Sequence, residues 1–257
     1  MSTLSFEISE GVGSITLNRP EKLNAFNREM AMSLQEALDE CRSQAVRCVY
    51  LTGSGRGFSA GQDLSEITQL THQSFDRILT EYYNPVVTRI RKLEKPVVAA
   101  VNGVAAGAGA NIALCCDVVV AAQSSYFIQS FSKIGLVPDS GGTYFLPRLI
   151  GSQKASALMM LGEKVPAEEA ERIGMIYKCF ADDVFSVNSM NIARFLAAMP
   201  TRGLSFTKKL LSASFTNSFD EQLQQEDIFQ MKASQTEDYK EGLKAFMEKR
   251  TPVFKGE

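Results

Sequence analysis

The chain has 257 residues, enough for one large domain or a domain with a small appendage. It is 45% hydrophobic and 22% charged with a formal net charge of −2, a balance that offers no basic footprint for nucleic acid. Its five cysteines are odd in number and form no C-x-x-C pair, and His72 is its one histidine, so a disulfide framework, a zinc site and a histidine-based triad are all disfavoured.

Met1 to Glu10 is polar and acidic, without the apolar segment of a secretion signal, and the expectation is a cytoplasmic protein with no membrane association. One apolar run, Pro96 to Ala122, exceeds the ~20 residues of a membrane span. Asn102-Gly103, Gly107, Gly109, Asn111 and Asp117 interrupt it, which predicts a buried strand, a turn, a buried helix and a second buried strand.

In chain order, LSFEIS and VGSITLN alternate apolar and polar residues about a turn at Glu10-Gly11, the pattern of a hairpin. Pro20 ends the second strand. Glu21 to Asn27 reads as a polar loop, with Asn27 as N-cap of a helix whose apolar face is Met30, Leu34, Ala37, Leu38 and Cys41. Arg47 to Thr52 is a short buried strand. Gly53 to Ile67 carries four glycines, at 53, 55, 57 and 61, which permit unusual backbone angles and close approach. Leu64 to Leu93 reads as helical with a break near Asn84-Pro85; its polar first part, Thr68 to Ser74, suits a lid.

Pro96 to Val101 and Asp117 to Ala122 are predicted strands flanking a small-residue helix, Ala105 to Leu114. Phe127 to Ile134 reads as short and irregular, followed by a loop to a helix starting near Gly141-Gly142. Helices follow over Gly151 to Leu161 and Pro166 to Ile173, then a last strand over Met175 to Phe180. From Asp183 onward only helical patterns remain, with a break at Ser234 to Glu237. The change of pattern divides the chain into an α/β core over 1–198 and a helical region over 199–257.

Two turns, Ser59-Ala60-Gly61 and Gly107-Ala108-Gly109, could aim backbone N–H groups at one spot as an oxyanion hole, but sequence does not establish that they converge. The second turn is a poor dinucleotide site: Ile112 replaces the third glycine of G-x-G-x-x-G, and Gln129 stands where an acid belongs. Asp139, in Pro138-Asp139-Ser140-Gly141-Gly142, is either an N-cap or an aimed carboxylate.

GFSAGQDL, KPVVAAVNGVAAGAGANIALCCDVVVAA and IGLVPDSGGTYFLPRLIG resemble the paired signatures of the crotonase, or enoyl-CoA hydratase/isomerase, superfamily, and the likeness extends to NRPEKLNAFN and FMEKRTPVF. The resemblance implies an α/β spiral of β-β-α turns with a helical C-terminal trimerisation region. Homotrimers or dimers of trimers follow from it, with an acyl-CoA substrate and no cofactor beyond its CoA moiety. It assigns the oxyanion donors to Ala60 and Ala108. The CoA channel falls to Lys22, Leu23 and Ala25, and to Ala60, Gly61, Gln62, Asp63 and Leu64. Phe246 and Lys249 would meet the CoA nucleotide, often from a neighbouring subunit.

By the same resemblance, the two glutamates of the hydratases would stand at Asn111 and Phe131. Neither an amide nor a phenyl ring is a general acid or base at neutral pH, so water addition is disfavoured. Isomerases of the family, including the ring-1,2-epoxyphenylacetyl-CoA isomerase branch, keep one acid in a similar GL-(I/V)-PD-x-GGT segment, matched here by Asp139. The expectation is a CoA-thioester isomerase, with an enoyl-CoA hydratase as the alternative. An aryl-CoA dehalogenase would need a histidine base and a tryptophan, and the chain has no tryptophan. A repurposed RNA-binding member conflicts with the acidic pI of about 5.7.

Overall fold

The structure is a computed structural model that describes residues 2–67 and 77–257. The expected lid over Thr68 to Ser74, and His72 with it, lies outside the described residues.

The chain winds as a spiral in which successive turns each add one strand to a large sheet and one to a small sheet. The hairpin β1 (Leu4–Ser9) and β2 (Val12–Leu17) starts the large sheet. β3 (Cys48–Gly53), β5 (Val97–Val101), β7 (Val118–Ala122) and β10 (Lys178–Phe180) extend it in parallel, giving the order β1-β2-β3-β5-β7-β10. The small sheet has the order β4-β6-β8-β9, from β4 (Gly57–Ser59), β6 (Val104–Ala106), β8 (Tyr126–Ile128) and β9 (Lys164–Pro166). All five residues of β5 are buried, as a central parallel strand covered on both faces requires.

Helix α1 (Arg28–Glu40) packs against β1 and β2, and Asn27 caps it, its side chain accepting from Met30 N. α2 (Leu64–Ile67) is a single turn. A π turn over Ile78–Tyr83 leads directly into α3 (Asn84–Lys92). The break predicted near Asn84-Pro85 takes the form of a change of helix type: the π turn ends at Tyr83 and the α segment begins at Asn84, with Pro85 in its first turn.

The helix predicted from Ala105 begins only at Ala108. Val104–Ala106 instead pair with β4 and β8, and Gly107, at φ 52° and ψ −125°, redirects the chain into α4 (Ala108–Leu114). Phe127 to Ile134, expected to be irregular, is β8 followed by a 3-10 turn over Phe131–Ile134. Strands β4 and β9 went unpredicted because three-residue strands carry too little periodicity to read.

α5 (Gly142–Ile150), α6 (Ser152–Leu161) and α7 (Ala167–Arg172) complete the turns. Only helices follow β10: α8 (Asp182–Ala198), α9 (Thr201–Ala213), α10 (Phe219–Ser234) and α11 (Glu237–Met247). α8 covers one face of the large sheet, where Phe185, Ala193 and Ala197 pack on Val12, Tyr50, Val98 and Val120. α9 is pinned to the spiral by buried Lys208, which reaches Asp117 at 2.8 Å and also donates to the Ile90 and Lys95 carbonyls. Asp117 is held from its other side by Arg91 at 3.0 Å. The apolar run 96–122 is thus strand, strand, helix and strand. No helix among the described residues is long and apolar enough to cross a membrane.

Candidate active site

Four segments surround one cavity of about 410 Å³: Ala60–Gln62 with Leu64, the π turn through Tyr83, the Gly107–Ala108 entry to α4, and the stretch from Ser130 to Gly141. Its wall is largely apolar, with Ile78, Leu79, Phe131, Leu136 and Val137 among its residues.

The two glycine turns converge. Gly61 has φ 86°, and a Cβ there would lie 2.8 Å from the Ala106 carbonyl and 3.4 Å from Ala108 N. A Cβ on Gly109 would lie 2.6 Å from the Ser59 carbonyl. Glycine is required at both positions for this approach.

The two expected oxyanion donors differ. Ala108 N–H opens α4 and has no acceptor among the described residues, as befits the first turn of a helix. Ala60 N–H, by contrast, donates to the Leu23 carbonyl at 2.9 Å. The expectation of two open donors therefore needs correction: a carbonyl approaching Ala60 has to share its N–H with Leu23.

That correction traces to the loop before α1. Leu23 and Asn24 both have left-handed backbones, at φ 50° and 54°. Fully buried Asn24 holds them there: its Oδ1 accepts from Arg19 N at 2.8 Å, and its Nδ2 donates to Ser54 O at 2.9 Å and Gly57 O at 2.7 Å. Ser59 Oγ donates to the Asn24 carbonyl at 2.9 Å. The loop and the Ala60 turn are one hydrogen-bonded unit.

Asp139 is the only carboxylate among the described residues lining the cavity. It is half-buried, and desolvation raises its pKa from 3.8 to about 6, although Ser140 Oγ, donating to Oδ1 at 2.8 Å, stabilises the anion. Asp139 does not cap α5 with its side chain; Gly142 N donates to its backbone carbonyl at 2.8 Å instead. Asn111 Nδ2 donates to the same carbonyl at 2.9 Å, and Gln129 Nε2 donates to Asn111 Oδ1 at 2.7 Å. Phe131 is buried, its ring about a van der Waals contact from any Cβ at Gly107.

Of the residues assigned from sequence, the structure gathers Ala60, Gly61, Gln62, Leu64, Ala108 and Asp139 at the cavity. Lys22 is exposed, Leu23 is half-buried and Ala25 is buried; none of the three lines the cavity. Asp63 also stays off the wall. Its carboxylate is consumed by Ser65 Oγ at 2.6 Å and Arg19 at 2.9 Å, and those partners, Ser65 first, hold its pKa below the ordinary value. Phe246 is 82% exposed, and neither it nor Lys249 lines the cavity of its own chain.

Sequence reading missed Tyr83. It is buried, its ring edge packs on Phe26 with centroids 5.8 Å apart, and its OH donates to Gln62 Oε1 at 2.8 Å. Burial, reinforced by the negative charge of Asp139, raises its pKa well above the ordinary value. A π turn presents it to the cavity, and no residue pattern announces such a turn. Among the described residues no group of three or more His, Cys, Asp or Glu side chains could hold a metal ion.

A spiral of β-β-α turns followed by a helical C-terminal region is the frame of the crotonase-type enzymes. The sequence profile of the enoyl-CoA hydratase/isomerase family matches residues 7–257. Over 260 residues the chain is 45% identical to 1,2-epoxyphenylacetyl-CoA isomerase of Escherichia coli (strain K12), covering 100% of this chain and 99% of that one. It is 44% identical over 254 residues to a probable enoyl-CoA hydratase of Rhodobacter capsulatus, covering 99% and 98%. The crystal structure of enoyl-CoA hydratase from Bacillus anthracis superposes with a TM-score of 0.95 at 30% identity, over 99% of this chain and 100% of that one. The chain belongs to the enoyl-CoA hydratase/isomerase family and is an enzyme of CoA-thioester isomerase or hydratase type.

Proposed function

We propose that the enzyme is a CoA-thioester isomerase that shifts a proton, or opens a ring epoxide, on its acyl group. The observation that carries this reading is the lone carboxylate. Asp139 faces the cavity with a pKa raised to about 6 by desolvation, close to that of an effective acid/base group at neutral pH. The neighbouring positions 111 and 131 offer an amide and a phenyl ring, so no second described carboxylate stands ready to activate water.

In this reading the thioester carbonyl lies between Ala60 and Ala108. Asp139 removes a proton from the acyl chain, and negative charge moves onto the thioester oxygen. Ala108 N–H donates to that oxygen outright, and Ala60 N–H donates in a bond shared with Leu23 O. An unshared donor of this kind is worth roughly 3 kcal/mol in the transition state. Asp139, now protonated, returns the proton at another carbon. The apolar wall of Ile78, Leu79, Phe131 and Val137, with Tyr83, suits an enoyl or aryl acyl group, and the similarity to an epoxyphenylacetyl-CoA isomerase favours the aryl one.

Lys22, Leu23, Ala25, Gly61, Gln62, Asp63 and Leu64 would shape the CoA channel, with Leu23 and Asp63 contributing through the backbone they hold. Phe246 and Lys249, which do not line the cavity of their own chain, would reach the CoA nucleotide of a neighbour in a homotrimer or dimer of trimers. The exposed Phe219, Met231, Phe246 and Met247 of the helices beyond residue 198 support that assembly.

Asp139→Asn is expected to abolish isomerisation of a 3-enoyl-CoA while acyl-CoA affinity, read by calorimetry, changes less than about threefold. Undiminished turnover in that variant refutes the assignment.

A further inference from the structure

Asp139 sits at the head of a strained turn. Ser140 and Gly141 follow it with φ values of 51° and 77°, and Ser140 is not a glycine. A conformation of this kind persists only where its surroundings over-determine it. Around this turn, fully buried Asn111 donates from Nδ2 to the Asp139 carbonyl, and buried Gln129 donates from Nε2 to Asn111 Oδ1.

The direction of this chain of amides follows from its end point. The Asp139 carbonyl can only accept, so Asn111 must present Nδ2 to it. Its Oδ1 then faces Gln129, which must present Nε2. Gln129 Oε1 is left at the far end, buried and without a partner among the described residues. A group that carries such a penalty holds its orientation because the rest of the chain of amides depends on it. Space enforces the contact as well: a Cβ on Gly142 would lie 2.3 Å from Asn111 Nδ2.

We propose that Asn111 and Gln129 are positioning residues that hold the Asp139 turn in register with the cavity. The inference rests on the reading of Asp139 as the proton carrier. Asn111 touches the backbone of Asp139, not its carboxylate, and neither amide lines the cavity. Their effect on catalysis therefore passes through the placement and desolvation of Asp139. Among the described residues, the charged or titratable groups that share the cavity wall with Asp139 are Tyr83, from the π turn, and Lys133, from the 3-10 turn.

The test compares wild type, Asn111→Ala, Gln129→Met and Asp139→Asn for kcat, KM and the pH–rate profile of 3-enoyl-CoA isomerisation, with a thermal melt of each. Asn111→Ala is expected to lower kcat about 100-fold, the scale of a misplaced catalytic group. KM should change less than about threefold, and the acidic limb of the profile should move from near 6 toward 3.8 as the carboxylate hydrates. Gln129→Met should show a smaller change of the same kind, and it supplies the readout should Asn111→Ala not fold. Wild-type kcat and pH profile in both amide variants beside an inactive Asp139→Asn would overturn this inference alone. An active Asp139→Asn would overturn the reading beneath it.

Discussion

Replacing Asp139 by asparagine should make the protein more stable at neutral pH while removing its activity. The folded state holds this carboxyl at a pKa of about 6 against 3.8 in the unfolded chain. At 1.36 kcal/mol per pH unit the ceiling on the charging penalty is about 3 kcal/mol. Asp139 is half-buried, and solvent screening reduces this to about 1–2 kcal/mol. For a raised carboxyl pKa, both states are protonated below 3.8 and the penalty vanishes; it grows through the window 3.8 to 6 and is complete above it. The amide introduced by Asp139→Asn would keep an oxygen for Ser140 Oγ and carry no charge. Thermal melts of wild type and Asp139→Asn at equal protein concentration should therefore differ by about 2–6 °C at pH 7.5, the variant melting higher. The gap should shrink at pH 5. A variant that melts lower at pH 7.5, or a gap that does not change with pH, would refute the claim that burial charges Asp139 at a cost to the fold.

Two further outcomes concern the frame around the site. Asn24→Ala removes three side-chain hydrogen bonds, one of them fully buried, at about 1 kcal/mol each and leaves an alanine at φ 54°, so it should cost about 4 kcal/mol and lower the melting temperature by about 10 °C. A drop of under about 2 °C would show that this loop is not held by its asparagine. Of the five cysteines, four are buried and only Cys179 is partly open. Burial pushes the Cys41 thiol up to about 12 and raises Cys48 as well, and Cys116 is raised by its hydrogen bond with Cys115 and then by burial. A disulfide-exchange reagent at pH 8 should titrate about one thiol in the native protein and five in denaturant; rapid native reaction of several would contradict the packing described.

What the sequence disclosed tracks how far each signal reaches along the chain. The hairpin, the Asn27 cap and the break between α10 and α11 rest on neighbouring residues, and they appear as expected. Strands β4 and β9 are three residues long, and their existence depends on partners far away in sequence. At the site, the glycines of the Ala60 and Ala108 turns announce close backbone approach, but only the spiral shows that they approach each other. Leu23 taking the Ala60 N–H was invisible because nothing about a leucine signals a left-handed backbone; Asn24, the residue that enforces it, looked like one polar residue in a polar loop. Asn111 and Gln129 were legible only as missing acids. The hydrogen bonds of Asn111 to the Asp139 carbonyl and of Gln129 to Asn111 are long-range, joining residues 28 and 18 positions apart.

The central claim is that one carboxylate moves a proton and that the site does not add water. The direct measurement is product identification by mass spectrometry after incubating the purified enzyme with crotonyl-CoA and with a 3-enoyl-CoA in deuterated, oxygen-18-labelled water. The account predicts that the 3-enoyl-CoA becomes its 2-enoyl isomer, carrying solvent deuterium at most and no labelled oxygen, and that crotonyl-CoA gains no hydroxyl group at a comparable rate. Rapid formation of an oxygen-18-labelled 3-hydroxyacyl-CoA from crotonyl-CoA would contradict it and identify the enzyme as a hydratase.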